Sequence, residues 1–302
     1  MRVFVTGATG FIGSALVPEL IAAGHQVLGM ARSDAGASAL TAAGAEVHRG
    51  DLNDLETLRT GAAQADGVIH TAFIHDAFQA NDFSRFQEVC DIDRRAIEAL
   101  GATLEGTGRP LIVTSGTAIG STAYGQLATE DYVNFNNPNP RVASERTAAA
   151  LAERGVNISV MRLPQVHDTV KQGLITYAIT VARQKGISAY VGDGKNRWPA
   201  AHVSDVARLY RLAIENATPG ARWHAVAEEG IPVRGIAEAI GRGLNVPVVS
   251  LTPEEAPAHF GFLAMFAGAD IPASSALTRQ RLNWSPTGPS LLTDLENMKY
   301  HA

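Results

Sequence analysis

The sequence predicts an α/β fold: a doubly wound parallel sheet covered by helices, with a small C-terminal cap. Three observations carry that expectation. Short β-branched runs alternate with longer alanine-rich, helix-period runs through the first half of the chain, the pattern that builds a parallel sheet. A glycine-rich turn closes the first strand-to-helix junction. The 302 residues, 46% hydrophobic and 18% charged, suffice for a large core and are too apolar for a disordered chain.

Taken in order, strands are expected at Arg2 to Thr6, Gln26 to Ala31, Glu46 to Arg49, Gly67 to Thr71, Pro110 to Ser115 and Asn157 to Leu163. Helices are expected between them near Phe11 to Ala23, Ala35 to Ala43, Leu55 to Ala62, Phe83 to Glu105 and Arg141 to Glu153. After Leu163 the rhythm changes to a helix from Gly173 to Lys185, a short run Ser188 to Val191, a loop Gly192 to Pro199 and a helix Val203 to Asn216. Beyond Trp223, prolines at 232, 247, 253, 272 and 286 separate three further helix-like segments.

The composition excludes several functions. Twenty-five Lys plus Arg against 30 Asp plus Glu leave a net charge of −5 and a pI near 6.0, so no broad basic face exists for nucleic acid. The single cysteine, Cys90, can form neither an internal disulfide nor a thiolate zinc site, which points to a reducing cytoplasm. The nine histidines have no compact ligand spacing, so no metal is expected. The run Val3 to Val5 is too short for a secretory leader, and the stretch Ala256 to Ile271 is broken by Pro257, His259, Gly261 and Asp270, so no membrane segment is expected.

The chemistry begins at Thr6-Gly7-Ala8-Thr9-Gly10-Phe11-Ile12-Gly13. Gly7 permits a tight turn, Gly10 admits a pyrophosphate to the backbone, and Gly13 lets helix pack on strand. The helix opening at Phe11 and Ile12 then offers free N–H groups to the phosphates. Residues 1–168, completed by about 196–220, are therefore expected to form a dinucleotide-binding domain, with 169–195 and 221–302 as a substrate-binding cap. At the end of the second strand, where an acid selects NAD, this chain carries Arg32 and Ser33, a guanidinium and a hydroxyl suited to the 2′-phosphate of NADP(H). Asp51, followed by Leu52, either accepts from the adenine amino group with Leu52 covering the ring, or caps the next helix. Thr71, Ala72 and Phe73 end the fourth strand beside the cofactor.

These motifs, with Val113-Thr114-Ser115, Arg162-Leu163-Pro164, Gly192-Asp193-Gly194, Trp198-Pro199 and His202-x-x-Asp205, run along most of the chain. Together they resemble the extended short-chain dehydrogenase/reductase family, the sugar-nucleotide epimerase and dehydratase superfamily with its Rossmann fold. The resemblance implies that Ser115 hydrogen-bonds the reacting oxygen and that Pro164 passes beside the nicotinamide. It also implies a catalytic Tyr-x-x-x-Lys at the start of the next long helix, where this chain has Arg141 and Glu145, as in atypical branches of the family. Arginine has no accessible neutral form, so it can stabilise an oxyanion but is a poor proton shuttle.

The function expected is an NADP(H)-dependent oxidoreductase for a small or medium carbonyl-type substrate (ketone, quinone, enone or imine), as a monomer or homodimer. Ser115 and Arg141 act on the oxygen and Glu145 orients Arg141. The alternatives are a non-catalytic NADP(H)-binding redox sensor and a sugar-nucleotide epimerase or dehydratase. Arg141 also reads as a surface residue paired with Glu145 one turn on. Tyr124 and Tyr132 read as substitute acids or as cover for apolar surface. The dense apolar group Phe260, Phe262, Leu263, Met265 and Phe266 reads either as a substrate pocket or as core and dimer contact. His202 and Asp205 are expected to share a hydrogen bond.

Overall fold

The computed structural model describes residues 1–75 and 85–300. The first half forms β1 (Arg2–Thr6), α1 (Phe11–Ala22), β2 (Gln26–Ala31), α2 (Asp34–Ala42), β3 (Glu46–Arg49), α3 (Leu55–Ala63), β4 (Gly67–His70), α4 (Phe86–Leu104), β5 (Leu111–Gly116), α5 (Val142–Glu153) and β6 (Ile158–Leu163). The second half forms β7 (Gln165–His167), α6 (Ile175–Lys185), β8 (Ser188–Val191), β9 (Arg197–His202), α7 (Val203–Asn216), β10 (Arg222–His224), β11 (Glu228–Pro232), α8 (Val233–Leu244) and β12 (Val248–Leu251). Short helices α9 (Ala256–Phe260), α10 (Ala264–Ala267), α11 (Ala276–Leu282) and α12 (Leu291–Asn297) follow. Phe83 and Ser84, where the sequence opens its fourth helix, lie outside the described residues.

Among the described residues the main sheet has seven strands in the order β10-β6-β5-β4-β1-β2-β3, and every pair is parallel. The order reverses between β1 and β4, which opens a crevice at their carboxyl ends, the place where such sheets bind ligands. Strand β1 explains why helices must cover both faces: Val3 and Val5 pack into the core under α1 and α7, while Phe4 packs into the core under α3, α4 and α5. Each such fully buried side chain contributes ~1.5–3 kcal/mol. Helices α4 and α5 approach so closely that a Cβ on Gly101 would sit 2.4 Å from Leu151.

The cap has its own core, formed by α6, α8 and the late helices around Ile179, Ile236, Ile240, Phe260 and Leu263. A sheet β11-β9-β7 joins it to the main body, and β8 pairs with β12. Two sequence expectations are corrected here. Residues 222–224, assigned to the cap, form the outer strand of the main sheet against β6. The expected loop Gly192 to Pro199 ends early, because β9 begins at Arg197. A proline argues against a strand because it lacks an N–H, yet Pro199 falls opposite the irregularity between Glu228 and Ile231, where no ladder partner is lost.

Candidate active site

The glycine turn is dictated by space. Gly7 has φ +69°, and a Cβ there would lie 2.6 Å from the Ala72 nitrogen; one on Gly13 would lie 2.1 Å from the Gly7 carbonyl. Gly10 stands at the N-cap of α1 with no side chain to cap it, which leaves first-turn N–H groups open for an anion. Thr9 is exposed, and Phe11 and Ile12 are partly buried at the helix start. Across the crevice Thr71 donates its hydroxyl to the Thr6 carbonyl at 2.8 Å, which holds Thr71, Ala72 and Phe73 against the turn. Pro164 stands between β6 and β7 at the same sheet edge. This cradle, which a Cβ would fill, fits a dinucleotide.

At the ends of β2 and β3, Arg32 faces Asp51 at 3.7 Å, with side chains 70% and 40% exposed. Burial alone would raise the Asp51 pKa, but hydrogen bonds from Asn53 and the Arg32 charge outweigh it and hold the carboxyl below its ordinary range. Asp51 is not the cap of α3: Asp54 accepts from the N–H groups of Glu56 and Thr57 instead, while Asp51 closes a turn on Asn53. Ser33 caps α2 by accepting from the Gly36 N–H at 3.1 Å. Leu52 is buried in the core beside Met30.

Ser115, on β5, is only 4% exposed, and its hydroxyl has no hydrogen-bond partner. Arg141 donates from Nη2 to the Thr114 carbonyl at 2.8 Å, which places its guanidinium next to Ser115 along the chain. The same guanidinium lies 4.0 Å over the Phe73 ring. The expected Arg141–Glu145 pair does not form. Arg141 Nη1 instead meets Asp93 Oδ2 at 2.6 Å, in an ion pair without directed hydrogen-bond geometry. Asp93 is buried and also accepts from Ser144 at 2.7 Å and meets His70 Nε2 at 3.2 Å, while His70 Nδ1 meets the Thr6 hydroxyl at 2.7 Å. Burial opposes charge on Asp93, but Arg141, His70 and Ser144 together hold its carboxyl below the ordinary range.

Sequence reasoning placed His70 at the end of the fourth strand but missed Asp93 and its pairing with His70 and Arg141. The available signal was an acid on the apolar stripe of α4, where Asp93 shares a face with Phe86, Val89, Ile97 and Leu100, since a carboxylate at a core position needs buried partners.

Glu145 belongs to a different network. Fully buried, it meets Arg162 at 2.6 Å and Arg222 at 3.0 Å. Arg162 in turn donates to the carbonyls of Thr129 and Tyr132, and its Nη1 lies 3.1 Å from His224 Nε2. His224 Nδ1 lies 2.7 Å from the Ser274 carbonyl, which makes Nδ1 the protonated nitrogen; burial and the Arg162 charge lower its pKa to about 3. Glu145 therefore braces the segment between β5 and α5. Tyr124 and Tyr132 are exposed.

On the Phe73 side of Arg141, Phe73, Phe86, Tyr177 and Phe262 gather around buried Cys90, whose thiol burial pushes up to about 11. Tyr177 and Phe262 meet edge to face with ring centroids 5.3 Å apart. The apolar group thus divides: Phe260 and Leu263 are buried in the cap core, Phe262 and Phe266 are partly buried against it, Phe262 also reaches the cluster beside Arg141, and Met265 is exposed. His202 bonds Ser204 rather than Asp205, and Asp205 accepts from Arg208 and from the Thr287 and Gly288 N–H groups. Among the described residues no group of His, Cys, Asp or Glu is arranged to hold a metal, and no helix is long and apolar enough to cross a membrane.

Residues 3–225 match the sequence profile of the NAD dependent epimerase/dehydratase family. Uncharacterized protein C2A9.02 of Schizosaccharomyces pombe is 50% identical over 301 residues, covering 99% of this chain and 100% of its own. Uncharacterized protein YLL056C of Saccharomyces cerevisiae is 42% identical over 299 residues, covering 98% of each. Among solved structures, the human epimerase family protein SDR39U1 (isoform 2) with NADPH matches at a TM-score of 0.74 with 19% identity, covering 100% of both chains, a likeness of fold.

Proposed function

The chain belongs to the NAD-dependent epimerase/dehydratase family, and on that premise we propose that it is an NADP(H)-dependent reductase or dehydrogenase for a small or medium, partly apolar carbonyl-type substrate. One observation carries the reading. The Ser115 hydroxyl is a buried polar group without a hydrogen-bond partner, and Arg141, held at Nη1 by Asp93, donates from Nη2 to the carbonyl of the preceding residue, Thr114. Buried donors are normally satisfied, so an unpartnered Ser115 hydroxyl one residue from the carbonyl that Arg141 grips marks the position of a ligand acceptor such as a carbonyl oxygen.

Gly7 to Gly13, Thr71 to Phe73 and Pro164 would hold NADP(H), with Arg32 available to its 2′-phosphate, and the bound cofactor would supply hydride exchange with the substrate carbon. The chain's own task is the oxygen. Ser115 and Arg141 donate to it as negative charge develops, the type of interaction worth about 10²- to 10³-fold in turnover elsewhere. Arg141 cannot give up a proton, so protonation falls to water or to the substrate. Quinones, conjugated enones and protonated imines meet that condition better than unactivated ketones, whose alkoxides are strongly basic. Phe73, Tyr177 and Phe262 supply an apolar wall, and Asp93 cancels the Arg141 charge, which favours an uncharged substrate over a nucleotide sugar.

The replaced Tyr-x-x-x-Lys pair equally motivates a second reading, a nucleotide sensor without turnover. Following NADPH absorbance with the purified protein against ketones, quinones, enones and imines separates the two. Turnover of a quinone, enone or imine supports the reductase. NADPH binding with no turnover across the panel supports the sensor, and absence of NADPH binding overturns both.

A further inference from the structure

Lys171 presents its ammonium over the ring of Phe11, 5.7 Å from the centroid, and Phe11 is the first residue of α1, directly after the glycine turn. The backbone beneath this lysine is fixed. The Asp168 carboxylate accepts from the N–H groups of Val170 and Lys171, each at 2.7 Å, and the Asp168 N–H donates to the Lys171 carbonyl at 2.9 Å. The fully buried Gln172 ties the turn down by donating to the Asp168 carbonyl at 2.6 Å. Only the exposed Lys171 side chain is left to move.

Among the described lysines without a carboxylate partner, Lys171 is the one placed at the glycine turn. Arg32 faces Asp51 and Arg141 faces Asp93, so each of these arginines already has a carboxylate partner. Among the described residues Lys171 has no carboxylate within ion-pair distance, unlike Lys195, which pairs with Asp193. The chain as a whole carries −5, and a dinucleotide adds further negative charge at the turn. The N-terminus of α1 offers only about half a positive charge. The lysine of the family's Tyr-x-x-x-Lys is also missing, Glu145 standing in its place.

We propose that Lys171 is a phosphate-binding residue, whose ammonium swings off the Phe11 ring to pair with the diphosphate of the dinucleotide held at the glycine turn. The inference rests on the reading of that turn as a dinucleotide site. An exposed cation–π contact is weaker than a charge-assisted bond to phosphate, so the exchange is downhill once the diphosphate is in place. The consequence is a cofactor clamp delivered by the segment between β7 and α6, the stretch that leads from the sheet into the cap.

The test measures binding to the full chain by NADPH fluorescence and by calorimetry with ADP-ribose, which keeps the diphosphate, and 2′-AMP, which lacks it. Lys171→Gln should weaken NADPH and ADP-ribose by the same factor, roughly tenfold to a hundredfold as for a lost charge-assisted bond. It should flatten their salt dependence and leave 2′-AMP binding unchanged, while Lys171→Arg retains most of the affinity. Unaltered NADPH binding in Lys171→Gln, or an equal loss for 2′-AMP, overturns the proposal. Gly13→Val separates it from its premise: if that variant loses NADPH while Lys171→Gln does not, the site stands and the lysine's role falls. If the unaltered chain binds neither NADPH nor ADP-ribose, both fall. Thermal unfolding of Lys171→Gln, expected to match that of the unaltered chain, controls for folding.

Discussion

Asp93 Oδ2 lies 2.6 Å from Arg141 Nη1, so a buried carboxylate from the middle of α4 sets the position of the basic residue that opens α5. The pair is part of a continuous polar path from Thr6 through His70 to Ser144, which ties the end of β1 to the residue beside Ser115. Breaking such a pair from one side leaves an uncompensated buried charge, which typically costs about 3–5 kcal/mol.

Asp93→Ala should therefore lower stability by about that amount, whereas Asp93→Asn, which keeps hydrogen-bonding capacity, should lose less stability but still release Arg141 from its place. On a substrate found in the absorbance panel, Asp93→Asn should reduce turnover more than it weakens NADPH. Denaturant unfolding and steady-state kinetics check this, and unchanged turnover in a folded Asp93→Asn would count against the positioning role.

Arg141 and Glu145 should separate cleanly. Arg141→Ala is expected to lose about 10²- to 10³-fold in turnover with little change in cofactor affinity. Both variants strand buried charge, Asp93 in Arg141→Ala and Arg162 with Arg222 in Glu145→Ala, so each should lower the unfolding midpoint by the equivalent of about 3–5 kcal/mol, but folded Glu145→Ala should keep its turnover. Unchanged turnover in folded Arg141→Ala would assign Arg141 to the framework.

Cofactor preference is expected to depend on Arg32 and the facing Asp51. The unaltered protein should bind NADPH about tenfold to a hundredfold more tightly than NADH, from ~1.5–3 kcal/mol of charge-assisted bonding. Arg32→Ala should remove most of the difference, and Asp51→Asn should enlarge it, because the exposed pair at 3.7 Å competes for the same guanidinium. Fluorescence titration with both nucleotides decides it; equal affinities in the unaltered protein would refute the preference.

Phe262→Ala should change substrate preference, since its ring joins Tyr177 and the cluster beside Phe73. Phe260→Ala should act on stability, up to the ~3–5 kcal/mol of a core phenylalanine, because it is buried in the cap core. The reverse pattern would move the pocket to the other side of the cap.

Acid should weaken the fold through His224. Its folded pKa is lowered from 6.5 to about 3, so the unfolded chain takes up a proton first as pH falls. Stability then declines from about pH 6.5 down towards pH 3. His224→Asn should show a flatter profile in denaturant unfolding at pH 7 and pH 5; identical slopes would remove His224 as the cause.

The sequence by itself determined the doubly wound sheet, the glycine turn and the presence of Ser115 on the fifth strand, because these depend on local periodicity and on short motifs whose spacing is set by one turn of backbone. Helix spacing also placed Arg141 and Glu145 one turn apart and suggested a pair. Only the tertiary structure decided otherwise. Glu145 faces Arg162 and Arg222 from β6 and β10, and Arg141 faces Asp93 from α4. An ion pair is chosen by whichever opposite charge shares its buried surroundings, since desolvated charges must be compensated where they lie. That choice is made by how α4, α5 and the sheet pack together, and it has no local signature beyond an aspartate on an apolar stripe.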